Sequence, residues 1–164
     1  MSRQATRTAV VAIATALIFA LGASAALAGQ TQILVSDGFP SGKTLKVKPS
    51  QIIWTGDATG VFAGHGTAGR HPNFGQLHWS KWTATKGQAT GANWLNDCRP
   101  YCAAGKFTPF NVKLNVYRPR VLRGHNVFTR IKVVYTGTVP KGFKRTSVFT
   151  MVVMNKAFIW NFPV

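Results

Sequence analysis

The chain has 164 residues and sets twenty Lys and Arg against three Asp and no Glu, a formal net charge of +17. With only Asp37, Asp57 and Asp97 for carboxylates, and nothing in their spacing to pair them, glycoside hydrolysis by two facing acids is excluded as a first reading. A field of this sign favours polyanions such as nucleic acid, phosphate-bearing wall polymers or anionic headgroups; the plainer alternative is a solvated basic surface that keeps an exported protein soluble.

Residues 1–28 have the layout of a secretory signal peptide. Arg3 and Arg7 form a positive start, Ala9 to Leu21 is apolar, and Ala26-Leu27-Ala28 supplies a small-residue cleavage site. The same run is about long enough to cross a bilayer, so an uncleaved anchor is the alternative, although no basic stop-transfer cluster follows it. Residues 29–164 then make a single all-β secreted domain, whose charge is +15 once Arg3 and Arg7 are removed. Its expected place is extracellular or associated with the cell wall.

After the signal, helical periodicity gives way to short runs of Val, Ile, Thr, Phe, Trp and Tyr broken by Gly, Pro, Asn and Asp, which is the strand pattern. Leu45 to Lys48 alternates. Ile52 to Trp54 and Val61 to Ala63 flank a turn at Gly56–Gly60 and predict a first hairpin. Gly64 to Gly75, reading GHGTAGRHPNFG, is a connecting loop, since its glycine spacing fits neither the P-loop nor the dinucleotide fingerprint.

Leu77 to Trp82 predicts a strand on which Trp79 and Trp82, three apart, fall on opposite faces. Both are core residues only if the strand bends or is covered on both sides; otherwise one is exposed or lies under a loop, and an exposed one could stack on a sugar or base. Thr83 to Asn93 continues as a paired strand.

Cys98 and Cys102 are the only cysteines, and in an exported protein such a pair reads first as a disulfide. The loop it closes is so short that the chain-entropy model assigns it only about 2 kcal/mol. A redox motif would need C-x-x-C opening a helix, and zinc would need further ligands at suitable spacing, so neither a cofactor nor a metal is expected.

The run Leu77-x-Trp79-x-x-Trp82, then Ala89-x-Gly91, then Asn96-x-Cys98-x-Pro100-x-Cys102-Ala103-x-Gly105-x-Phe107, followed by Val112-x-Leu114 and Arg118-Pro119, resembles a group of small secreted actinobacterial proteins of uncharacterised function. The resemblance spans roughly Gln51 to Pro119. It implies an exported single-domain protein from a high-GC Gram-positive bacterium and brings no catalytic residue with it.

Beyond the cysteines the strand signal strengthens. Val112, Leu114 and Val116 alternate with polar residues, as do Thr129, Ile131, Val133 and Tyr135, while Ser147–Met154 and Ala157–Phe162 are more continuously apolar and so are expected to be central. The order predicts an antiparallel β-sandwich of about seven to nine strands, with a β-barrel as the alternative.

No G-x-S-x-G elbow and no H-E-x-x-H helix is present, and a disulfide removes both thiols as nucleophiles. His65, His71, His78 and His125, with Lys, could serve a small secreted phosphodiester hydrolase. The main expectation is a secreted, basic, non-enzymatic binding protein for anionic wall polymers or other polyanions. If the strands near 111–117, 127–135 and 147–153 form a meander, the Cys loop lies at the same end as residues 139–146. Arg99, Lys106, Lys141, Lys144 and Arg145 are then the expected anion site, with Arg118, Arg120 and Arg123 at the other end; an even spread of charge with diffuse binding is the alternative.

Overall fold

A computed structural model of the chain describes residues 29–35, 44–154 and 157–162; the expected signal peptide and Asp37 lie outside them. The described residues form ten strands: β1 (Ile33–Leu34), β2 (Leu45–Lys46), β3 (Ile52–Ile53), β4 (Gly60–Ala63), β5 (His78–Trp82), β6 (Lys86–Asn96), β7 (Phe107–Leu122), β8 (His125–Tyr135), β9 (Thr146–Met154) and β10 (Ala157–Asn161). The all-β class is as expected. The count exceeds seven to nine because three of the strands are only two residues long, too short to leave a period in the sequence.

Eight strands form one antiparallel sheet in the order β10-β9-β8-β7-β6-β4-β3, with β5 also paired to β6, while β1 and β2 make a separate ribbon. Instead of two sheets packed face to face, one sheet curls into a half-barrel, which is nearer to the barrel alternative. The ends of the ladder meet through aromatic side chains. Trp54, just after β3, stacks on Phe162, just after β10, at 5.7 Å between ring centroids, and Phe149 of β9 meets Trp54 edge-on at 5.1 Å.

The concave face holds the core: Val112, Leu114 and Val116 from β7, Ile131, Val133 and Tyr135 from β8, and Phe149 and Met151 from β9. This is the period-two pattern of a sheet with one face packed and one bare. Each such side chain contributes about 1.5–3 kcal/mol by leaving water. Residues 31–35 wedge into the open side. The Gln32 N–H donates to the Asn126 carbonyl, Ile33 and Leu34 are fully buried, and the Leu34 and Val35 carbonyls accept from the Trp160 indole and the Ile53 N–H.

One expectation is corrected. Strand β9 is interior to the ladder, but β10 is its edge. Its apolar residues are covered by curling instead of by a second neighbour: Phe158 and Trp160 are buried because the N-terminal wedge and the far end of the sheet fold against them.

Strand β6 organises the remainder. Its first half pairs with β5 and its second half with β4, along the same edge. The change of partner falls at Gly91, where a Cβ would stand 2.1 Å from the Ala63 carbonyl oxygen, so only glycine lets the backbones approach. At the core end Asn93, fully buried, accepts from the Trp54 indole N–H (3.0 Å) and donates to the Tyr135 hydroxyl (2.8 Å). Burial pushes the Tyr135 phenol up to about 12, opposed by the Asn93 bond. Among the described residues no helix is long and apolar enough to cross a membrane.

Candidate polyanion-binding surface

The tryptophans offer no open platform. A register shift between Trp79 and Lys81 bulges β5 at Ser80, so Trp79 and Trp82 fall on the same, inward face and meet edge-on at 4.6 Å. The bend that the spacing required is thus supplied by one extra residue. Gly87 lies beneath the pair and leaves room for both rings. Their indole N–H groups donate to the carbonyls of Pro49 (2.7 Å) and Thr31 (3.1 Å), so N-terminal segments cover them.

Cys98 and Cys102 are bonded. Side chains stitch the same loop independently of the sulfurs: Asn96 Oδ1 accepts from the Cys98 N–H, and Asn96 Nδ2 donates to the Cys102 carbonyl, both at 2.8 Å. The Asp97 carboxylate accepts from the backbone N–H groups of Lys106 (2.9 Å) and Arg99 (3.1 Å). Those two bonds, followed by the Arg99 and Lys106 charges, hold its pKa below the ordinary 3.8.

The expected meander of β7, β8 and β9 is present, and the Cys loop does lie toward the same end as residues 136–145. The two loops are nevertheless offset. Tyr135 closes β8 opposite Val112, whereas β7 continues back to Phe107 before reaching the Cys loop, roughly 16 Å further along the strand. Arg145 is also committed elsewhere, since its guanidinium donates to the carbonyls of Tyr135 (3.0 Å) and Gly137 (3.2 Å) and so ties the β8–β9 connection. The five expected residues therefore fall into an exposed pair, Arg99 and Lys106, another exposed pair, Lys141 and Lys144, and a loop fastener.

Arg70 joins the first pair, because Gly69 and Phe107 exchange backbone hydrogen bonds and so place Arg70 beside Lys106. That contact spans the whole β4–β6 region and leaves no local signal in the sequence. Asp97 sits among these three cations and offsets part of their charge. Arg118, Arg120 and Arg123 are exposed toward the opposite end, where β7 turns into β8.

A larger basic group lies on the convex face. Antiparallel partners share a face, so the register of β5 to β8 reads directly as rows. One row is Lys86, Tyr117, Arg130; the next is Lys81, Gln88, Asn115, Lys132; the third is His78, Thr90, Lys113, Val134. Strands stand about 4.8 Å apart and successive rows about 6.8 Å, so five cations are distributed over a patch roughly 15 Å across. Four are exposed and Arg130 is half-buried. Neither described carboxylate shares this face, Asp57 lying in the β3–β4 turn and Asp97 in the Cys loop. At about 8 Å in water each neighbouring pair repels by about 0.5 kcal/mol, a cost that a bound anion would relieve.

His65 and His71 are exposed in the 64–76 loop, while His78 and His125 lie roughly 30 Å apart along the strands by the register. Among the described residues no three His, Cys, Asp or Glu are grouped to hold a metal. No family model, no curated protein and no solved structure matches the chain.

Proposed function

We propose that the mature chain is a secreted, basic, non-enzymatic binding protein that holds anionic polymers on the convex face of β5–β8. The observation that carries the reading is the set Lys81, Lys86, Lys113, Arg130 and Lys132, brought onto one open face without a carboxylate among them. The Cys-loop end is the weaker surface, because Asp97 is embedded in it and Arg145 is occupied by carbonyls. A polymer neutralised by these side chains releases its counterions, so affinity falls as salt rises.

Two variants of equal charge test this. In one, Lys81, Lys86, Lys113 and Lys132 become Thr, a residue that strands accept readily. In the other, Arg99, Lys106, Lys141 and Lys144 become Thr. The convex-face variant is expected to lose at least about tenfold in affinity for heparin and anionic wall polymer, with a flatter salt dependence, and the loop variant less than about threefold. Equal losses would show that net charge alone governs binding.

A further inference from the structure

At the middle of the basic face two neutral side chains are joined: Gln88 Nε2 donates to Asn115 Oδ1 at 3.0 Å. Gln88 is exposed and Asn115 half-buried. That bond uses one donor and one acceptor lone pair. The Gln88 carbonyl oxygen and the Asn115 amide hydrogens remain available to a ligand on the same face. The five cations surround the pair by the register: Lys81 and Lys132 in its own row, Lys86 and Arg130 in one flanking row, Lys113 in the other.

Aromatic supply points the same way. Single-stranded nucleic acids are held by bases stacked on exposed rings. Here no tryptophan stands open on this face: Trp54, Trp79, Trp82 and Trp160 donate internally to Asn93, Pro49, Thr31 and Leu34, and Trp94, on the same side of β6 but beyond Gly91, is buried with its indole N–H on the Gly64 carbonyl. Apart from the His78 imidazole at its edge, the face keeps one ring, Tyr117, half-buried between Lys86 and Arg130. Its cations are mostly lysines, which bind phosphate as mobile point charges and impose little geometry.

We infer that the convex face recognises a linear polyol phosphate, in which phosphodiesters alternate with hydroxyl-bearing carbons. The cations take the phosphates, and the Gln88–Asn115 pair reads the hydroxyls by accepting from one and donating to another. This rests on the polyanion reading and adds to it a requirement for hydroxyls and an indifference to bases.

The test measures binding of the full mature chain, at one fixed salt concentration, to three probes matched in charge: poly(glycerol phosphate), inorganic polyphosphate and an oligothymidylate. Poly(glycerol phosphate) is expected to bind about three- to tenfold tighter than polyphosphate, the increment of one or two hydrogen bonds. Gln88→Val with Asn115→Val is expected to erase that preference and leave polyphosphate binding unchanged, which also shows that the variant is folded and its charge intact. Retention of the preference in the double variant, or oligothymidylate binding as tightly as poly(glycerol phosphate), would overturn the inference while leaving polyanion binding in place. Absence of binding to all three probes would overturn both.

Discussion

On the convex side of β6, the half beyond Gly91 presents Ala92 and Trp94, and the half before it presents Lys86, Gln88 and Thr90. The half beyond Gly91 is covered. With Val61 and Ala63 of β4 it makes a small second core, and Phe74 from the 64–76 loop packs edge-on against Trp94 and Phe107 at 5.3 and 5.1 Å. The half before Gly91 stays bare. One strand in one continuous register thus has two different outer surfaces, and side-chain polarity alone separates them. Outward apolar residues draw a loop over themselves, whereas outward lysines and amides keep their water. The Gly-rich 64–76 segment is therefore more than a connection: it is the cover of the second core.

The covered half depends most on Trp94. Trp94→Ala removes the centre of the covered half and leaves the loop with nothing to sit on. The expected loss is about 4 kcal/mol in urea unfolding, with heparin affinity unchanged where the variant remains folded. Loss of affinity in parallel with stability would mean that the two halves act as one. Asn93, on the concave side of the same strand, comes next. Asn93→Ala leaves the Trp54 indole and the Tyr135 hydroxyl without partners and is expected to cost about 3 kcal/mol. Since burial holds the Tyr135 phenol above its unfolded value, that group stabilises the fold below pH 10 and its contribution is lost as pH rises toward about 12.

A smaller effect belongs to the Cys loop, which adjoins the covered half through the Gly69–Phe107 bonds. Replacing Cys98 and Cys102 with Ser is expected to lower stability by about 1–3 kcal/mol without preventing folding, because Asn96 and Asp97 hold the loop as well. Failure of that variant to give a cooperative unfolding transition would contradict this. The smallest effect is acid sensitivity. Asp57, held down first by the Thr59 hydroxyl and then by the Thr59 backbone N–H, and Asp97 both have lowered carboxyl pKa values. Their stabilisation is present above about pH 4 and fades as pH falls through the lowered values. Thermal unfolding of an Asp57→Asn, Asp97→Asn variant should show a shallower decline below pH 4 than the parent chain.

Most of the long strands were legible because their periods are local. Val112 to Val116 and Thr129 to Tyr135 carry their alternation in sequence, and β7 and β8 lie where it predicts. β1 was not legible: two residues show no period, and Ile33 and Leu34 are buried only because distant strands receive them. The spacing of Trp79 and Trp82 demanded a bend if both were to be core residues, but its place was not legible, since the bulge at Ser80 depends on the pairing of β5 with β6.

Basic charge, scarcity of carboxylates, strand-rich character and a Cys pair close enough to bond are properties of the residues themselves, and reading them needs no partner from elsewhere in the chain. Which cations stand together is a different kind of fact. Period two says which residues of one strand share a face, but only the pairing register says which residues of neighbouring strands lie in line. Lys81, Lys86, Lys113, Arg130 and Lys132 are scattered over four strands, and long-range backbone pairing brings them around Gln88 and Asn115. The same pairing places Arg70 beside Lys106, and the return of the chain after β8 ties the Arg145 guanidinium to carbonyls of its own loop.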